Sequence, residues 1–152
     1  YDPFSGGGSI PLEAQRLGLT MIDMPFGSRE APYVDRMQRA AKIFQTIEYP
    51  ALIHCKSGAD RAGLISVFYR LAHLKLPYEE AIEHLSLKYL HVKAGKTGVL
   101  DYFFETYRAY NAETPIDFME WVETVYDREA VQNGFMSSWW GNMLTERILR
   151  RE

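Results

Sequence analysis

His54-Cys55-Lys56-Ser57-Gly58-Ala59-Asp60-Arg61-Ala62-Gly63 lies between two apolar runs, Ala51-Leu52-Ile53-His54 after Pro50 and Leu64-Ile65-Ser66-Val67-Phe68-Tyr69-Arg70-Leu71. The first run has the length of a buried strand and the second that of a buried helix, so the pattern predicts a strand, a loop and a helix in succession. A loop that opens a helix presents unpaired backbone N–H groups and the positive end of the helix dipole, which together favour an anion. Into this loop the chain places its only cysteine, Cys55, six residues before Arg61. A lone cysteine is ordinarily a small buried hydrophobe. At a helix terminus beside a cation, however, cysteine pKa values fall to about 3.5–7.5, which makes a thiolate nucleophile at neutral pH. The planar guanidinium fork can hold two phosphate oxygens at once.

His54, Cys55, Gly58 and Arg61 match the four fixed positions of His-Cys-x-x-Gly-x-x-Arg. At these residues the chain resembles the cysteine-dependent protein tyrosine and dual-specificity phosphatase superfamily, in particular bacterial-type members whose loop ends Asp-Arg. The resemblance is specific over residues 50–72 and extends loosely over 19–110. It implies an α/β fold, a three-layer αβα arrangement around a mostly parallel central sheet of four or five strands. Only two strands are visible in the sequence, so the first strands of such a sheet are expected to be missing.

The resemblance also implies a reaction. Cys55 attacks phosphorus and forms a phosphocysteine that water hydrolyses. Backbone N–H groups from Lys56 to Arg61, with the Arg61 guanidinium, hold the equatorial oxygens in the transition state. Lys56, Ser57, Gly58, Ala59 and Ala62 are the expected substrate-binding residues, and Gly58 allows close backbone approach. His54 supports the site by orienting the cysteine backbone. No metal or organic cofactor is expected. Asp60 is the leading proton donor for the departing oxygen, because an aspartate at that loop position recurs in related phosphatases. Asp23, 32 residues upstream of Cys55, and Glu30 in the upstream loop are the alternatives.

Two positions depart from the family pattern. Ala62 replaces the hydroxyl residue that commonly follows the arginine, which removes a stabiliser of the departing thiolate. Ala59 stands where lipid-directed bacterial loops often carry lysine, whereas Lys56 supplies a charge beside the nucleophile and suits a highly anionic substrate. The expected activity is therefore a phosphomonoester hydrolase acting on a phosphoprotein or a phospholipid. The competing class is a non-catalytic phosphate-recognition module, which the missing hydroxyl favours.

The composition fits these readings. With 152 residues, 47% hydrophobic and 14% aromatic, the chain is large enough for one domain with a real core. A net charge of −3 and the lack of a basic tract argue against a nucleic-acid partner. The apolar runs are too short and interrupted for a transmembrane helix. A single cysteine excludes an intrachain disulfide and a multi-cysteine zinc site, and a thiol that must stay reduced points to the cytoplasm. The chain begins at Tyr1, which leaves room for a removed leader.

Along the chain, residues 1–18, with Ser5-Gly6-Gly7-Gly8-Ser9, are expected to be flexible or truncated. Leu19–Met24 reads as a strand and Phe26–Pro32 as a loop in which Arg29 could read a second acidic group. Val34, Met37, Ala40, Ala41, Phe44 and Ile47 fall at helical spacing. Glu79 to about Leu90 is expected to be helical, and Gly95-Lys96-Thr97-Gly98 a loop. Lys96 or Thr97, with His91 and Lys93 nearby, lies where family members place a substrate-contacting loop. Leu100, Phe103, Phe104, Tyr107 and Tyr110 form an aromatic helix face. Residues 113–152 are expected to be a helical extension of the same domain. In it Thr114 caps a helix that Pro115 opens and that turns Phe118, Trp121, Val122 and Val125 inward. A last helix is expected from about Ser137 to Arg150, with Trp139, Trp140, Met143, Leu144 and Ile148 inward. A peripheral membrane patch is the alternative use of Phe135, Met136, Trp139 and Trp140, helped by Arg147, Arg150 and Arg151.

Overall fold

The computed structural model describes residues 9–149, with side chains described over 12–140. Seven α-helices follow one another: α1 (Ser9–Arg16), α2 (Val34–Thr46), α3 (Asp60–Ala72), α4 (Tyr78–Ile82), α5 (Val99–Glu113), α6 (Phe118–Thr124) and α7 (Arg128–Leu149). Two 3₁₀ turns, Leu87–Tyr89 and Lys96–Gly98, join α4 to α5.

The αβα expectation is corrected here: among the described residues there is no strand and no sheet. The two segments read as strands, 19–24 and 51–54, carry no regular structure. A strand exists only when a neighbour completes its hydrogen-bond ladder, and neither segment has such a neighbour among the described residues. Their side chains report the same thing, since Leu19 is 61% and Leu52 88% exposed, with Met21 and Ile22 also open to solvent.

α3 runs through the centre of the core. Leu64, Ile65, Val67, Phe68 and Leu71 are all buried, on a helix apolar around most of its circumference. It packs against α2, α4 and α6, and α5 packs against α7. Gly63 lets the segment just after α4 approach, because a Cβ there would lie 2.9 Å from both the His84 carbonyl oxygen and Leu85 Cδ1. Around Phe118 an aromatic cluster links three helices. Its ring centroid lies 5.6 Å from Phe68, 4.9 Å from Tyr107 and 6.1 Å from Phe103.

Several helix boundaries differ from expectation. α6 starts at Phe118 with Asp117 as its N-cap, accepting from the N–H groups of Met119 and Glu120. Thr114 instead closes α5. Phe118, Trp121 and Val122 are buried, but Val125 lies beyond the helix and is exposed. The helix expected to run to Leu90 stops at Ile82. α7 begins nine residues before Ser137 and carries Val131 and Phe135 into the core. Met136 and Trp139 pack against that core and Trp140 is half-exposed. The side chains of Met143, Leu144, Arg147, Ile148, Arg150 and Arg151 lie outside the described residues, as do residues 1–8 with most of the glycine-rich run.

The upstream loop is tied to the start of α7. Arg128 donates through Nε to the Ala31 carbonyl at 3.0 Å and reaches Glu30 at 3.2 Å, and Gln132 accepts from the Ala31 N–H at 2.8 Å. Tyr126 donates its hydroxyl to the Pro32 carbonyl at 2.8 Å. These contacts span about a hundred residues of sequence and fix one wall of the fold.

Candidate active site

The loop 54–59 delivers its residues to the first turn of α3. Ala59 precedes the helix, Asp60 is its first residue, and the Gly63 N–H makes the first turn's bond to the Ala59 carbonyl at 2.7 Å. N–H groups earlier in the helix have no intrahelical acceptor. One of them, from Ala62, turns to Cys55, as do the N–H groups of Ser57 and Gly58. Gly58 adopts φ +72°, a left-handed conformation that aims the loop's N–H groups inward. A Cβ at Gly58 would meet nothing within 4 Å. The glycine is thus required by its backbone angle.

Cys55 is half-buried. Burial pushes its thiol pKa up, but the three N–H groups and the Arg61 charge outweigh that and leave it below the ordinary thiol value. The helix terminus therefore eases ionisation of this sulfur relative to an ordinary thiol. Ala59 and Ala62 are buried beside it, while Lys56, Ser57 and Gly58 are exposed along the rim. His54 is exposed as well.

The three candidate proton donors occupy different settings. Asp23 is exposed in the irregular segment after α1. Glu30 is held between two arginines, Arg36 at 3.4 Å and Arg128 at 3.2 Å, and so serves to anchor its loop. Arg29 beside it is exposed. Asp60 stands at the head of α3 with its side chain 26% exposed, one residue from Arg61.

The sequence did not reveal what holds Asp60. His91 Nδ1 lies 2.8 Å from Asp60 Oδ1, and His91 Nε2 lies 2.7 Å from Asp101 Oδ2. The imidazole and the Asp101 side chain are buried, at 1% and 8% exposure. Burial pulls the His91 pKa down, but the hydrogen bonds and charges of Asp101 and Asp60 dominate and raise it. Asp101 did carry a local signal: it is the one charged residue in Val99-Leu100-Asp101-Tyr102-Phe103-Phe104, and a carboxylate in such a run needs a partner. His91 also lay in the segment expected to reach the substrate.

The rest of that segment does structural work. Thr97 donates its hydroxyl to the Val92 carbonyl at 2.9 Å, which closes the turn. Lys93 pairs with Glu105, and the Lys96 ammonium lies 5.9 Å from the Trp139 ring centroid. Among the described residues no group of three His, Cys, Asp or Glu side chains could hold a metal ion, and no helix is long and apolar enough to cross a membrane.

No family model, curated protein or solved structure matches this chain.

Proposed function

We propose that the protein is a phosphomonoester hydrolase that works through a phosphocysteine on Cys55. The observation that carries this reading is the half-buried Cys55 thiol at the start of α3, facing the N–H groups of Ser57, Gly58 and Ala62 and held below its ordinary pKa. A thiolate in that position attacks phosphorus without help from a metal, and the same N–H groups with Arg61 take up the charge on the transferring phosphoryl group. Asp60, beside Arg61 and joined to a buried histidine, is the proton donor. The substrates are phosphoproteins or phospholipids, and the exposed rim of Lys56, Ser57 and Gly58 leaves room for a large leaving group.

The test is hydrolysis of p-nitrophenyl phosphate in EDTA by wild type and Cys55→Ser in parallel. Turnover that survives chelation and disappears in the variant supports the reading. Its absence from folded, reduced wild type overturns it for this substrate class.

A second reading is favoured by Ala62. This residue offers a backbone N–H but no hydroxyl to the departing thiolate, which slows breakdown of a phosphocysteine and suits a loop that only holds phosphate. A binding module of this kind would retain phosphate affinity in Cys55→Ser and show no turnover in wild type.

A further inference from the structure

Asp60, His91 and Asp101 form a continuous chain from the first residue of α3 into the core. Asp60 is partly open to solvent, whereas the ring and the second carboxylate are sealed. Buried polar chains of this kind need every member satisfied, and here each ring nitrogen has one carboxylate oxygen. The charged groups facing the ring are Asp60 from α3 and Asp101 from α5, while Lys93 on His91's own loop is engaged by Glu105.

The two contacts have different roles. A carboxylate oxygen accepts only, so Nε2 donates its hydrogen inward to the buried Asp101 Oδ2. That fixes the tautomer and leaves Nδ1 as the nitrogen whose protonation can change. Nδ1 faces Asp60 across a contact short enough for transfer.

Resting on the hydrolase reading above, the geometry points to His91 as the proton reservoir of Asp60. The imidazole and the Asp60 carboxyl hold one exchangeable proton between them, which leaves with the alcohol and returns from the attacking water. His91 is a positioning residue in this scheme, since it touches Asp60 and not the substrate.

The steps balance. In the first, the Cys55 sulfur forms a bond to phosphorus of R–O–PO₃²⁻ as the P–O bond to the leaving group breaks. The shared proton passes through Asp60 to that oxygen, giving R–OH, phosphocysteine, an ionised Asp60 and a neutral His91. In the second, water attacks phosphorus, the P–S bond breaks and the electron pair returns to sulfur. The water's proton passes to Asp60 and rests again on the pair, with release of HPO₄²⁻. The relay explains how a carboxyl group can serve at neutral pH, where an unassisted one keeps its proton only below about pH 4. The raised His91 pKa agrees with a proton held there in the resting protein.

The experiment compares wild type, His91→Gln and Asp60→Asn on p-nitrophenyl phosphate and on an alkyl phosphate, across pH. His91→Gln is expected to lose about a hundredfold in kcat on the alkyl ester at neutral pH, and less than about tenfold on the aryl ester, whose leaving group needs little protonation. Its alkyl-ester activity is expected to recover towards about pH 5, where a carboxyl begins to hold its own proton, whereas Asp60→Asn stays low at every pH. An equal, pH-independent loss on both esters would reduce His91 to a structural role and overturn the inference. So would wild-type-like turnover by His91→Gln on the alkyl ester. If burial prevents His91→Gln from folding, an imidazole NMR titration of wild type and Asp60→Asn decides. A His91 midpoint above about 6.5 in wild type that falls in Asp60→Asn supports the shared proton. A wild-type midpoint at or below that value overturns it. Failure of the hydrolase reading is distinct, because wild type itself would then show no Cys55-dependent turnover.

Discussion

The Arg128 guanidinium lies over the ring of Tyr33, 3.7 Å from its centroid, so a residue at the start of α7 holds the residue that leads into α2. The same side chain reaches the Ala31 carbonyl and Glu30, and Arg36 approaches the Tyr33 ring at 4.3 Å. A planar cation can stack and donate sideways at once, and lysine cannot. Arg128→Lys is therefore expected to lose nearly as much stability as Arg128→Ala, about 1–3 kcal/mol in urea unfolding. If Arg128→Lys matches wild type, charge alone holds the loop and the fork is irrelevant.

Phe118 is the ring on which the aromatic cluster converges, 2% exposed and within 6.2 Å of Phe68, Tyr107 and Trp121. Its neighbours belong to α3, α5 and α6, so a cavity there cannot close by the shift of one helix alone. Phe118→Ala is expected to cost about 3–5 kcal/mol, and Phe118→Leu clearly less. Equilibrium unfolding in urea measures both. A loss below about 1 kcal/mol for alanine would mean that the three helices are not joined through this ring.

The helices were legible where the chain is periodic. Met37, Ala40 and Phe44 of α2 and Leu100, Phe103, Phe104 and Tyr107 of α5 are buried on the faces that their spacing marks. The sheet was misread because Ala51–His54 and Leu19–Met24 have the composition of strands, while strand formation depends on a partner that a local run cannot disclose. α6 starts three residues later than Thr114-Pro115 marks, because Asp117 caps it by accepting from the Met119 and Glu120 N–H groups and is itself held by Lys75. In the site, Cys55 and Arg61 were readable because six residues bring them to one helix end. Asp60, His91 and Asp101 are separated by 31 and 10 positions, and only folding unites them.

At Gly63, α3 and the segment that follows α4 are as close as a hydrogen permits. A methyl group there would meet a backbone carbonyl at 2.9 Å, which cannot swing aside as a flexible side chain would. Gly63→Ala is expected to destabilise by about 1–3 kcal/mol despite the better helix propensity of alanine. A stabilised Gly63→Ala in thermal unfolding would show that the segment after α4 yields freely.

Asp117 couples stability to acidity. Burial pushes its carboxyl pKa up, but the hydrogen bond and charge of Lys75, with the N–H groups of Met119 and Glu120, bring it below the ordinary value. A carboxyl depressed in the folded state adds stability that is complete above its unfolded pKa of about 3.9 and is lost as pH falls through the lower folded value. Asp117→Asn keeps a competent cap and is expected to flatten that part of the acid limb. Asp117→Ala also removes the cap, at about 0.5–2 kcal/mol. Unfolding free energies measured between about pH 2 and pH 6 separate the two, and identical acid limbs for wild type and Asp117→Asn would assign the loss to other carboxylates.

Cys55 offers the most direct check on the loop. The residue is partly exposed, so alkylation by iodoacetamide reports the thiolate fraction, and the pH midpoint of the rate reports the pKa. Burial alone would raise that midpoint; the N–H groups of Ala62, Ser57 and Gly58 and the Arg61 charge reverse it. Wild type is expected to react with a midpoint below about 8.5, the value of a free cysteine. Arg61→Ala should move the midpoint upward without reaching the value of a buried, unsupported thiol, because the three N–H donors remain. Unfolding in urea should return it to about 8.5 in both proteins. A wild-type midpoint at or above the unfolded one would mean that the helix terminus does not act on the sulfur. The same measurement repeated with inorganic phosphate separates pocket from environment: an anion seated at the loop should protect Cys55 from alkylation in wild type and protect it less in Arg61→Ala.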